Sequence, residues 1–151
     1  MFRRMLQMWI AGWVVAIFLP SVIIAFVGLS EVAAAIATGF DELPRTTWAV
    51  ADEVGPFAKL SIGALLLAAL LSIERSGATR MPGLPFASLT CGALSMLIPI
   101  AFLPERFSRG FGIGLTGERF DPVTLPIYIL GGAAAGLVFV VGLRKSVRHP
   151  S

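Results

Sequence analysis

The sequence predicts an all-α integral membrane protein with four transmembrane helices and both termini on the cytoplasmic side. Three observations carry this. The chain of 151 residues is 56% hydrophobic and only 14% charged, with a mean hydropathy of +0.85, far too apolar for a water-soluble domain of that length. Four apolar runs each approach the roughly 20 residues that an α-helix needs to cross a hydrocarbon core of about 30 Å. Basic residues gather at the two chain ends and in one short loop, which four crossings bring to the same side. The whole chain, 1–151, reads as one membrane domain.

The first run, 9–29, follows the basic start MFRRMLQ. That start, with the small residues of VAAAIA downstream, has parts of a cleavable signal, but a run of about 20 residues exceeds the roughly 7 to 15 of such a segment. A retained first helix is expected. Ser30 is placed to cap a short interfacial extension that Gly39 ends. The second run, 56–73, begins after Pro44 and Gly55 have interrupted the chain, and the third, 86–103, after Gly77, Pro82, Gly83 and Pro85. The fourth is 123–143. Pro20 and Pro99 lack the N–H groups that would bond the carbonyls of Ala16 and Ser95, so the first and third helices are expected to bend in their outer halves. Bends at matching depth would open a vestibule there.

Orientation follows from the basic residues near the helix ends. Arg3, Arg4, Arg75, Arg80, Arg144, Lys145 and Arg148 fall on one side. The other side carries Asp41, Glu42, Asp52 and Glu53 against Arg45, and a second segment with Arg106, Arg109 and Arg119. Pairing of those arginines with the acidic segment would tie the outer loops into a cap, each exposed pair contributing about 0 to 1 kcal/mol.

The loop between the third and fourth helices contains GIGLTG at 112–117, matching the G-x-G-x-x-G pattern of dinucleotide sites. That pattern works only where a buried strand feeds a glycine turn opening a helix. Here a membrane helix precedes it, Pro122 stops any helix from running on, and no acid follows to hold a ribose. The glycines are read instead as backbone freedom in an outer loop, with a re-entrant loop as the alternative. Neither nucleotide nor nucleic acid is an expected partner.

One cysteine, Cys91, and one histidine, His149, cannot form a His/Cys metal cluster or a disulfide within the chain, and no cofactor is predicted. Glu31 is the acid nearest the first span, although the rise of the helix places it past the outer boundary. Lys59 lies one turn into the second span, able to snorkel to headgroups or pair with a carboxylate. Trp9, Trp13, Trp48 and Tyr128 are expected as interfacial anchors.

Small residues form stripes suited to close helix approach in lipid: Gly132 and Gly136 on the fourth span, Ala87, Cys91 and Ser95 on the third, Ala64 and Ala68 on the second. Packing within the bundle is the first use, with homo- or hetero-oligomer contacts as the second. These features predict a non-enzymatic accessory or structural subunit of a larger membrane assembly. The alternative is a small oligomeric solute carrier or channel with an outward-facing vestibule, and a weaker third reading is an interfacial enzyme acting on lipid through the outer-loop carboxylates and arginines. The alanine- and glycine-rich composition leans toward a bacterial inner membrane.

Overall fold

A computed structural model describes residues 2–33, 42–75, 83–103 and 122–148. These form five α-helices and, among the described residues, no strand: α1 (Phe2–Ala33), α2 (Leu43–Glu53), α3 (Pro56–Arg75), α4 (Leu84–Phe102) and α5 (Thr124–Arg148). Four contain stretches long and apolar enough to cross a membrane, Met5–Val27, Pro56–Arg75, Leu84–Phe102 and Thr124–Gly142. Each overlaps one of the four expected runs.

α1 has 32 residues, about 48 Å at a rise of 1.5 Å per residue. It runs unbroken through Ser30 to Ala33. Ser30 therefore opens no separate helix, because Leu29, Glu31, Val32 and Ala33 around it all accept helical geometry. Residues 34–39 of the expected extension lie outside the described residues.

α2 was not anticipated, since its segment reads as polar outer loop. Its apolar positions do recur at helical spacing: Thr47, Ala51 and Val54 are buried, and Leu43 and Val50 are half-buried. Pro44 sits in the first turn, where a missing N–H costs nothing. The helix stops because Gly55 takes a φ of 75°, a conformation open to glycine, and Pro56 then starts α3 with its φ already helical.

α5 packs most extensively on α4 and then on α1, while α3 closes the fourth side against α4 and α1. The α4–α5 seam is an approach of backbones. A β-carbon built on Gly136 would collide with the Ser88 carbonyl, and one on Gly132 with the Gly92 carbonyl. On the other face of α5, a β-carbon at Gly131 would come within 2.5 Å of the Pro20 ring, and on α1 one at Gly12 would lie 3.2 Å from the Ala135 carbonyl. Larger side chains fill the space between these seams: Ile62, Leu66 and Leu70 of α3, Met96 and Ile100 of α4, and Tyr128 and Phe139 of α5 belong to one buried cluster. Tyr128 is thus a core residue, not a surface anchor.

The Ser88 hydroxyl is fully buried and has no hydrogen-bond partner among the described residues. Its small size is what the seam uses. Gly136→Val should therefore lower the unfolding midpoint in detergent, at a cost of about 2 to 3 kcal/mol from overpacking. Ser88→Ala should be neutral or slightly stabilising, within about 1 kcal/mol, because it removes an unsatisfied group. Equal losses from the two changes would contradict the seam.

Candidate functional site

The chemistry-bearing side chains that the fold brings together lie where α1, α2 and α3 meet. Trp9 and Trp13 stack with ring centroids 5.7 Å apart and planes 6° from parallel. Both turn inward. The Trp9 indole N–H donates to the Gly63 carbonyl at 2.9 Å, and that of Trp13 to the Lys59 carbonyl at 2.8 Å. Trp9 and Trp13, expected as interfacial anchors, thus also tie α1 to α3, since an indole that leaves water must find an acceptor. A β-carbon on Gly63 would lie only 3.0 Å from the Trp13 ring, so a glycine there lets the stack reach the α3 backbone.

These bonds set the register. Trp48 meets Phe18, with ring centroids 5.9 Å apart, then Lys59 meets Trp13 and Gly63 meets Trp9. As the chain advances through α2 and α3, its partners on α1 step backward. α3 thus follows α1 in the antiparallel sense, and α2 meets α1 beyond the break at Gly55.

Across that break Lys59 Nζ lies 3.7 Å from Asp52 Oδ1. The Lys59 side chain is 24% exposed and that of Asp52 57%, so in water such a pair would contribute only about 0 to 1 kcal/mol. Its position is the informative feature. Both residues line a cavity of about 240 Å³ with Trp13, Val14, Ile17 and Phe18, and those α1 residues are at the middle of the apolar stretch Met5–Val27. Along α3, Lys59 is one turn from the helix start; on α1 it lies beside Trp13.

A second concavity, an open groove of about 550 Å³, runs between Phe57, Ser61, Ala64 and Leu65 of α3 and Ile98, Pro99, Phe102 and Leu103 of α4. Of the small-residue stripes, Gly132 and Gly136 face α4, Ala87 and Cys91 are half-buried, and Ser95 is buried with its hydroxyl donating to the Gly92 carbonyl at 2.7 Å. Ala64 and Ala68 are exposed. Pro20 and Pro99 both lie inside helices and are buried. Glu31 sits near the end of α1, and its side chain is outside the described residues. Arg106, Arg109, Arg119 and the glycine-rich loop also fall outside them. No group of three His, Cys, Asp or Glu able to hold a metal ion occurs among the described residues.

No protein-family model, curated protein or solved structure matches the chain.

Trp13→Phe keeps the aromatic stack but removes the donor to Lys59, with an expected loss of about 1 kcal/mol in reversible unfolding. Gly63→Leu, which must displace the indole, should cost more and shift the emission of the stacked pair. A Gly63→Leu variant with native stability and emission would contradict the register of α1 and α3.

Proposed function

We propose that the chain is a non-enzymatic subunit of a larger membrane assembly, and that the outward face of α3 receives an apolar helix of a partner. The observation that supports this reading is the placing of the small-residue stripes. Those of α4 and α5 lie along contacts within the chain, whereas Ala64, Ala68 and Ser72 of α3 are exposed. The hydroxyls on this side of α3 bond their own helix, Ser61 to Phe57 and Ser72 to Ala68, each at 2.8 Å. That leaves a flat face with no polar group seeking a partner. In lipid such a face permits the close backbone approach on which helix association depends, and Ala64 also lines the α3–α4 groove.

In this reading the protein sits in a bacterial inner membrane with both termini cytoplasmic. α1 and α4 bend at Pro20 and Pro99, and the glycine-rich segment before α5 is an outer loop. A second reading, a small oligomeric carrier or channel with an outward-facing vestibule, is favoured by one observation. Asp52 and Lys59 form an ion pair beside Trp13, Ile17 and Phe18 of an apolar helix, and an ionisable pair that lies within lipid is expensive unless it has a use.

Extraction from the native membrane in mild detergent, through a tag after His149, should bring other polypeptides in fixed ratio. Ala64→Phe with Ala68→Phe should abolish that co-purification while leaving the chain helical and soluble in detergent. Recovery of the wild-type chain alone, as monomer or homo-oligomer, would remove the subunit reading. For orientation, a single cysteine placed after His149 in a Cys91→Ser background should react with an impermeant maleimide in inverted vesicles and not in intact cells.

A further inference from the structure

Four helix ends converge at one end of the bundle, and the charged residues there are almost all basic. α5 runs antiparallel to α1, since a β-carbon on Gly131 would meet Pro20 and one on Gly142 would meet Met8, and antiparallel to α4, since Gly132 faces Gly92 and Gly136 faces Ser88. α3 is antiparallel to α1 through the Trp9 and Trp13 bonds. The starts of α1 and α4 therefore lie with the ends of α3 and α5, where Ile73, Leu84 and Val140 form a buried cluster. This end carries Arg3 and Arg4 of α1, Arg75 of α3, and Arg144, Lys145 and Arg148 of α5, against one acid among the described residues, Glu74. At the other end the helices carry Glu31, Glu42, Asp52 and Glu53 against Arg45 and Lys59.

Two helices start and two end here, so their partial charges cancel and the charged residues set the sign. Arg3 and Arg75 are exposed, and neither takes part in an ion pair among the described residues. Depth points to the partner. Arg3 and Arg4 directly precede the apolar stretch Met5–Val27, Arg75 closes Pro56–Arg75, and Arg144 follows the end of Thr124–Gly142 by about 3 Å of helix. Where these stretches cross a bilayer, the basic residues stand in the headgroup layer, whereas an acidic protein or a nucleic acid in the water phase would be met better by cations set farther out. Beside them Leu6, Ile10, Phe86 and Val141 are exposed, an apolar surface suited to acyl chains. All but Lys145 of the basic residues are arginines, whose guanidinium offers a phosphate two parallel N–H donors.

We infer that this end of the bundle is a binding surface for anionic phospholipid headgroups, and that it gathers the negative lipids of one leaflet around the chain. The phosphates pair with Arg3, Arg75 and the basic end of α5, and the acyl chains run past Leu6, Ile10 and Val141. A zwitterionic headgroup brings its own cation, which the arginines repel, so it gains less. Neither Arg3 nor Arg75 belongs to the α3 face assigned to a partner helix. Co-purification of polypeptides and selection of lipids therefore fail or succeed separately.

The test reconstitutes the full chain in an equimolar mixture of dioleoyl phosphatidylglycerol and dioleoyl phosphatidylcholine, returns it to mild detergent, and weighs the lipids it retains by native mass spectrometry. The wild-type chain should retain phosphatidylglycerol over phosphatidylcholine by at least about tenfold, given roughly fivefold for each basic residue near an anionic surface. Arg3→Gln with Arg75→Gln should lower that ratio at least about fivefold. Arg45→Gln, at the opposite end, should leave it unchanged, as should Ala64→Phe with Ala68→Phe. Raising the salt from about 0.05 M to about 0.5 M during the wash should also lower the wild-type ratio, because exposed charges are screened. Equal retention of the two lipids by the wild-type chain would overturn the inference, and so would a ratio that Arg45→Gln lowers as much as the Arg3 and Arg75 pair does. An acidic polypeptide that leaves the purified particle on neutralising Arg3 and Arg75, with the two lipids retained equally, would assign this end to a protein instead. The wild-type ratio and its salt dependence decide the matter even if a variant fails to fold.

Discussion

Hydrocarbon gives helices no hydrophobic reason to associate, so a bundle in lipid is held by close packing and by polar groups that must find partners inside it. In this chain the closest packing lies along α5, whose GGAAAG run offers two faces with almost no side chain. Gly131 and Ala135 meet the Pro20 ring and Gly12 of α1, while Gly132 and Gly136 meet the Gly92 and Ser88 backbone of α4. Pro20 illustrates how the two demands combine. It cannot bond the Ala16 carbonyl, and that carbonyl lies 3.3 Å from where a Gly131 β-carbon would be, in space that glycine leaves open. Next to it the Ser21 hydroxyl donates to the Ile17 carbonyl at 2.8 Å. With α1 and α4 both drawn against α5, the fourth side is left to α3, which has no comparable glycine seam.

α3 is therefore positioned by other means. Two indole donors on α1 hold carbonyls of α3, and they fix a register in which α3 begins opposite the middle of α1. The C-terminal half of α1 would then lack a neighbour on that side, and α2, with Thr47, Ala51 and Val54 buried, supplies it. The chain is interrupted there at Gly55 and Pro56, between the short α2 and the long α3. An interruption leaves helix ends inside the bundle, and helix ends carry partial charge. Asp52 and Lys59 each stand at the helix end whose partial charge has their own sign, which is unfavourable, and their pairing across the gap at 3.7 Å offsets it.

The four apolar spans were legible because length and hydropathy alone report them, and their ends agree with the structure to within a few residues except where α1 continues at both ends and α5 continues to Arg148. Helix α2 was missed because its charges drew it into a loop, although Leu43, Thr47, Val50, Ala51 and Val54 repeat at helical spacing. The glycines of α5 were legible as small, but which neighbour each one meets depends on the rotation of three helices. On α4 the residues against Gly132 and Gly136 are Ser88 and Gly92, one position beyond the Ala87 and Cys91 stripe. The bonds of Trp9 and Trp13 were not legible for a related reason: a sequence does not show that α3 has carbonyls to offer them. The pairing of Lys59 with Asp52 and its place beside Trp13 were hidden too, since they exist only in the register between helices.

That register is the centre of the account, and depth-resolved spin labelling measures it directly. Single nitroxides placed in turn at positions 48, 52, 56 and 60 of the full chain in lipid, with α1 positions 10, 14, 18 and 22 as the ruler, would be compared by their accessibility to oxygen and to a water-soluble nickel chelate. The account predicts that position 52 reports the depth of positions 14 to 18 while remaining accessible to the chelate. A label at 52 that reports headgroup depth, level with the outer end of α1, would contradict it.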